Sequence, residues 1–265
     1  MKIVVTIIKI VSIAGILVAL LYFVQEKLIF FPQQLPADYK FTFNQPFREL
    51  QFNTKDGATL HGLLFTSDST KGLIFYLHGN AGSLASWGQI SKTYTDAGYD
   101  LFMLDYRGYG KSSGSITSEN QFYDDVQLVY DSIRKKYDER NIVVLGYSIG
   151  TGAATKLAAV NHPKLLILQA PYFSLAELVK RKFSIIPPFI LKYKFRTNVF
   201  LEKCKMPVVI FHGDQDEVIN YANSQKLKTL FKPSDTLITL RGQGHNGMSD
   251  NHAYIIELKK ILSRY

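Results

Sequence analysis

The sequence is short of the residues that mark several functional classes. Its 265 residues include one cysteine, Cys204, and one tryptophan. A single thiol excludes an internal disulfide framework and any thiolate metal cluster, and reads instead as a small buried hydrophobe. Acidic residues are also in deficit, with 22 Asp and Glu against 31 Lys and Arg, a formal net charge of +9. Such a surplus suits an anionic surface such as phospholipid headgroups. No zinc finger, RNA-binding aromatic signature or sustained basic stripe accompanies it, so nucleic acid is not the expected partner. Repeats and low-complexity tracts are missing too, and a composition 46% hydrophobic and 20% charged is that of a globular chain. At this length one domain with appendages is expected.

The first appendage is "IVVTIIKIVSIAGILVALLYFV", residues 3–24. As a helix rising ~1.5 Å per residue it would reach ~33 Å, enough for the hydrocarbon core of a bilayer. Lys9 is the only charge inside it and lies near one end, where its ammonium can extend to the interface. No small-x-small cleavage pattern follows, so an uncleaved N-terminal transmembrane helix over 1–25 is expected rather than a removed signal peptide. The lysines and arginines on its two sides nearly balance and give no orientation. Residues 26–47 read as a connector, in which Phe30 and Phe31 stand beside Pro32.

From residue 48 to 265 short β-rich runs alternate with helix-length segments. "RELQFNT" and "TLHGLLF" flank Asp56-Gly57 and read as a hairpin. "GLIFYL", "DLFMLDY", "NIVVLG" and "LLILQA" are near-continuous apolar runs, the pattern of strands covered on both faces. Helical stretches lie at about 86–97, 118–137, after Ser148, 221–231 and 251–263, and "PVVIFHG" and "TLITLRG" supply two more strands. This rhythm predicts an α/β fold with a mostly parallel sheet of roughly eight strands between helices. Residues 171–207 exceed a usual crossover and are expected to form a cap insertion. Eight lysines and arginines between 180 and 205 are interleaved there with apolar residues such as Phe183, Ile185, Ile186 and Phe189. That mixture suits a lipid surface or a long-chain acyl substrate.

The segment that carries chemistry is "VVLGYSIGTGAATKLAA", residues 143–159. Gly146-Tyr147-Ser148-Ile149-Gly150 fits G-x-S-x-G between a strand and a helix start, the setting of a nucleophile elbow. A serine hydroxyl needs a base, itself oriented by a third group. His245, in "GQGHNGM" after the final strand, is the candidate base; His252 reads as a surface residue, and His61 and His162 as strand and loop residues without partners. Asp214, Asp216 and Glu217 compete for the orienting acid, and G-x-x-D-x-V after Gly213 favours Asp216. An oxyanion hole needs two fixed donors. The N–H of Ile149 follows the nucleophile, and "YLHGNAGS" offers that of Asn80 after the turn at Gly79. "LDYRGYGKSSG", residues 104–114, lacks phosphate-loop spacing. There Arg107 reads as structural, and Tyr106 or Tyr109 is expected to face the site.

With "LHGNAGS", "DYRGYGKSSG", "GYSIGTGAA", "HGDQDEVI" and "GQGHN" in this order, the chain resembles the serine α/β-hydrolases, in particular their membrane-anchored abhydrolase-domain group. The resemblance covers nearly the whole chain. It implies the α/β-hydrolase fold, a Ser148-His245-Asp216 triad, oxyanion donors at Ile149 and Asn80, and no cofactor or metal. It further implies hydrolysis of esters or thioesters, with aminopeptidases as distant relatives, and a hydrolase domain lying outside the cytoplasm. A membrane-tethered binding module without turnover is the reading from another class. The cysteine-rich amino terminus of the depalmitoylating members is missing, so their substrate does not carry over.

Overall fold

Every β-rich run forms a strand in the computed structural model, which describes residues 2–182 and 190–265, the side chains at 10, 11, 14, 17 and 182 excepted. In chain order the strands are β1 (Phe31–Pro32), β2 (Phe47–Asn53), β3 (Thr59–Phe65), β4 (Leu73–Leu77), β5 (Ala81–Gly82), β6 (Asp100–Asp105), β7 (Ile142–Tyr147), β8 (Leu165–Gln169), β9 (Val208–Gly213) and β10 (Thr236–Leu240). Eight of them make one sheet in the order β10-β9-β8-β7-β4-β6-β3-β2. From β10 to β6 neighbours run parallel, whereas β2 and β3 form the expected antiparallel hairpin, with Phe47 opposite Phe65 and Asn53 opposite Thr59.

Helices cover both faces of this sheet, which is why its central strands are apolar at nearly every position. The described helices are α1 (Lys2–Ile29), which stands largely clear of the sheet, and α2 (Leu84–Trp87), α3 (Ser91–Thr95), α4 (Glu119–Ile133), α5 (Gly150–Val160), α6 (Leu175–Lys182), α7 (Thr197–Leu201), α8 (Ala222–Lys228) and α9 (His252–Arg264). On β4 the period of two sends Phe75 and Leu77 to one face, among Phe122, Val126 and Leu157 of α4 and α5. Ile74 and Tyr76 point to the other, with Tyr94, Tyr254 and Leu258 of α3 and α9. Caps set the starts of two of these helices: Ser118 accepts the Gln121 N–H at 3.1 Å, and Asn251 the Tyr254 N–H at 3.1 Å. Cys204 is buried, as expected, and burial pushes its thiol up to about 12.

Two expectations need adjustment. The first helix does not stop at residue 25 but runs to Ile29, with Gln25 buried against the rest of the molecule. Its earlier turns leave Ile3, Ile7, Ile8, Ile13, Ile16, Leu20 and Phe23 exposed. Among the described residues, however, no helix is long and apolar enough to cross a membrane, so the transmembrane span is not shown. In the cap region, α6, α7 and the chain from 190 to 196 are in place, while Phe183, Ile185, Ile186 and Phe189 lie outside the described residues.

Candidate active site

β7 ends at Tyr147 and α5 begins at Gly150, leaving a two-residue turn in which Ser148 has φ 51°. Left-handed backbone is strained for a residue with a Cβ, so the surroundings must hold it there. The two motif glycines make the turn sterically feasible. A Cβ on Gly146 would lie 2.6 Å from that of Ala154, and one on Gly150 would collide with the Leu77 carbonyl.

The loop after β9 supplies Asp216 and the loop after β10 supplies His245, both at the edge of the sheet where the turn sits. His245 Nε2 is 3.0 Å from Ser148 Oγ, and His245 Nδ1 is 2.8 Å from Asp216 Oδ2. A carboxylate can only accept, so Nδ1 carries the proton and Nε2 is left to accept from the serine hydroxyl. All three side chains are largely buried, at 7%, 5% and 6% exposure for Ser148, Asp216 and His245. Asp216 Oδ1 accepts the N–H groups of Val218 at 2.9 Å and Ile219 at 2.7 Å. Burial by itself would raise the Asp216 carboxyl, but hydrogen bonds from His212 and His245 more than offset it and hold the group well below the usual carboxylate range. The His245 loop is tied at both ends of its peptide, by Tyr147 OH to the His245 carbonyl and by the His245 N–H to Glu217 at 3.3 Å.

The other candidates fall elsewhere. Asp214 is exposed and accepts the Gly242 N–H at 2.7 Å, and His252 and His162 are exposed. His61, read as partnerless, is buried and 2.9 Å from Glu49, a contact made across the β2–β3 hairpin that chain order does not reveal. His212, fully buried on β9 and not among the expected site residues, has its Nε2 3.2 Å from Asp216 Oδ2. Its place four residues before the acid was the available signal.

Among the described residues, neither the Ile149 N–H nor the Asn80 N–H donates to another group of the chain. The Gly79 carbonyl, in the same rigid peptide as the Asn80 N–H, accepts from His78 Nδ1 at 2.6 Å. Tyr106 and Tyr109, expected to face the cleft, are instead buried beneath this loop and donate to the carbonyls of His78 at 2.8 Å and Asn80 at 2.7 Å. Arg107 is structural, pairing with Asp125 at 2.6 Å and Asp56 at 2.7 Å. A cavity of about 380 Å³ opens beside the chain neighbours of Ser148 and His245, lined by Trp87, Ile90, Tyr147, Asn246 and Met248 among others.

Residues 68–200 match the family model described as "Serine aminopeptidase, S33". Lysophosphatidylserine lipase ABHD12 of Mus musculus is 28% identical over 224 residues, 74% of this chain and 56% of the mouse protein. The chain therefore spans little more than half the length of that relative. Alpha/beta hydrolase domain-containing protein 17B of Homo sapiens is 30% identical over 204 residues, 75% of this chain and 68% of the human one. Among solved structures, the esterase Pf2001 of Pyrococcus furiosus superposes with a TM-score of 0.71 at 17% identity, over 89% of this chain and 98% of its own. That likeness shows the fold, and the sequence matches show the lineage. The chain belongs to the serine α/β-hydrolase superfamily, in its abhydrolase-domain group.

Proposed function

We propose that the protein is a serine hydrolase that cleaves carboxylic esters or thioesters, taking long-chain acyl substrates from a membrane surface. The observation that carries the chemistry is the hydrogen-bonded line Ser148–His245–Asp216, at 3.0 and 2.8 Å. Ser148 Oγ attacks the acyl carbon while its proton passes to His245 Nε2. The oxyanion of the tetrahedral intermediate lies against the N–H groups of Ile149 and Asn80. Collapse expels the alcohol or thiol, which takes the proton from His245, and leaves an acyl-serine. Water then attacks with His245 again as base, and the acid is released. Asp216 keeps the imidazole oriented and stabilises its charged form. Proton transfer and the oxyanion donors each supply about 10²-fold or more.

Support for the membrane comes from α1, whose exposed side chains are mostly large and apolar, a surface that globular proteins rarely leave to water. In this reading residues 1–25 are the anchor, 26–47 the connector and 48–265 the hydrolase domain with its cap at about 171–207. The mouse relative is named a lysophosphatidylserine lipase, in keeping with a lipid substrate. An aminopeptidase is the reading carried by the family model's description. It finds less support in the described part of the cap, where Glu177 pairs with Lys226 rather than standing open to a substrate amine.

Labelling by a fluorophosphonate probe, abolished by Ser148→Ala, tests the chemistry. Hydrolysis of p-nitrophenyl esters across acyl lengths tests the substrate: rates rising with chain length are expected, and a sharp preference for acetyl would overturn the lipid assignment. Peptide amides cleaved faster than any ester would favour the peptidase. Retention of the full chain in the membrane pellet after alkaline carbonate extraction is the expected result for α1.

A further inference from the structure

The end of α1 and the strand that follows it run through the oxyanion side of the site. Asn80 lies just before the two-residue strand β5, outside the main sheet, and is held by contacts from residues far away in the chain. Its side-chain amide donates to the Ile29 carbonyl at 3.1 Å, and its own carbonyl accepts the Phe31 N–H at 2.9 Å. β1 then pairs with β5, Phe31 opposite Ala81 and Pro32 opposite Gly82. Gln33 continues the seam, donating to Gly82 and accepting from Gly110, both at 2.9 Å.

The last turn of α1 is also fixed to the described end of the cap region. The buried Gln25 donates to the Ile190 carbonyl at 2.7 Å and accepts the Lys192 N–H at 2.9 Å. Glu26 receives Lys192 Nζ at 3.1 Å and Tyr193 OH at 3.0 Å, and Phe30 packs edge-on against Tyr193. One short stretch thus joins the cap and the loop that presents the Asn80 N–H.

We propose that residues 25–33 are a positioning element of the active site, holding the Asn80 peptide where its N–H meets the oxyanion, and not a mere tether for the anchor. The proposal rests on the ester-hydrolase reading above. Its physical basis is that a donor works only when aimed at the position the oxyanion takes, so its support governs rate. Because the same helix carries the exposed apolar side chains, a shift of α1 in its surroundings reaches Asn80 within one turn.

The test uses the full chain in detergent micelles, with p-nitrophenyl butyrate turnover and the rate of fluorophosphonate labelling as readouts. Asn80→Ala keeps the backbone N–H but removes the tie to Ile29. It is expected to lower kcat about tenfold, a fraction of the 10²–10³ lost when an oxyanion donor is removed outright. KM stays within about twofold, and the melting temperature falls by only about 2–4 °C, the shift for one lost interaction in a chain of this size. Gln25→Ala, remote from the Asn80 loop, is expected to lower kcat in the same sense with KM again nearly unchanged. Should Gln25→Ala fail to fold, Glu26→Gln, which weakens the same junction, takes its place with a smaller fall in kcat. Wild-type kcat in Asn80→Ala and in the junction variant overturns the proposal while leaving the hydrolase reading intact. Turnover by the wild type that survives Ser148→Ala overturns the reading, and the proposal with it.

Discussion

His212 Nε2 and Asp216 Oδ2 lie 3.2 Å apart inside the protein, so the proposed acid of the triad is shared by two histidines. His212 is fully buried, with Nδ1 2.6 Å from Ser224 Oγ and Nε2 2.7 Å from the Ile219 carbonyl. The carbonyl only accepts, so Nε2 carries a proton. His212 is therefore a second N–H donor beside the Asp216 carboxylate, and it lowers the cost of burying that charge. His212→Leu removes that donor and strands Ser224 and Ile219. A stability loss of about 2–4 kcal/mol in urea is expected, with kcat about tenfold lower for a misaligned Asp216. Normal values of both would show that His245 alone suffices.

The strained backbone at Ser148 separates two variants that lack its hydroxyl. Ser148→Ala and Ser148→Gly both lose the proposed nucleophile and its hydrogen bond to His245. Only glycine relieves the φ of 51°, so Ser148→Gly should be the more stable by about 1 kcal/mol in paired denaturation curves. Equal midpoints would mean that the turn costs nothing.

A pH dependence of stability follows from the buried Asp105, whose Oδ1 accepts the Leu84 N–H at 3.0 Å and lies 3.8 Å from His78 Nε2. Burial pushes the Asp105 carboxyl up to about 8 from an ordinary 3.8, and brings His78 down to about 4 from 6.5. Between 3.8 and 8 the native Asp105 holds a proton that the unfolded chain lacks, so its contribution to stability falls as pH rises. Between 4 and 6.5 the unfolded His78 holds a proton that the native one lacks, so its contribution rises. The two offset each other at lower pH, and from about 6.5 to 8 Asp105 acts alone. Stability should fall there by up to about 1.4 kcal/mol per pH unit. Asp105→Asn keeps an acceptor for Leu84 and should flatten that limb of a melting-temperature profile.

Arg107 should matter for folding because its guanidinium forks onto the buried Asp125, Nε at 2.6 Å and Nη2 at 2.8 Å. Arg107→Ala leaves that carboxylate inside without its partner and is expected to cost about 3 kcal/mol in urea denaturation. Arg107→Lys should recover only part of this, since an ammonium cannot make the paired contact.

The alternation of buried strands and helices was legible from the sequence because each strand is covered on both faces, so its apolar run needs no knowledge of neighbours. The elbow was legible for a similar local reason: Gly146, Ser148 and Gly150 answer to a turn only five residues long. Asp216 and His245 could be named because each follows a strand of known order, which fixes the sheet edge on which its loop emerges. What sequence could not supply were contacts between chain segments far apart. The second histidine on Asp216, the Glu49 partner of His61, the inward turn of Tyr106 and Tyr109, and the reach of Gln25 to Ile190 all depend on which surfaces the fold brings together. Local hydrophobic pattern and turn chemistry thus determined the architecture and pointed to the residues of the proposed site, while tertiary packing decided what holds those residues in place, because a hydrogen bond depends on distance in space and not on separation along the chain.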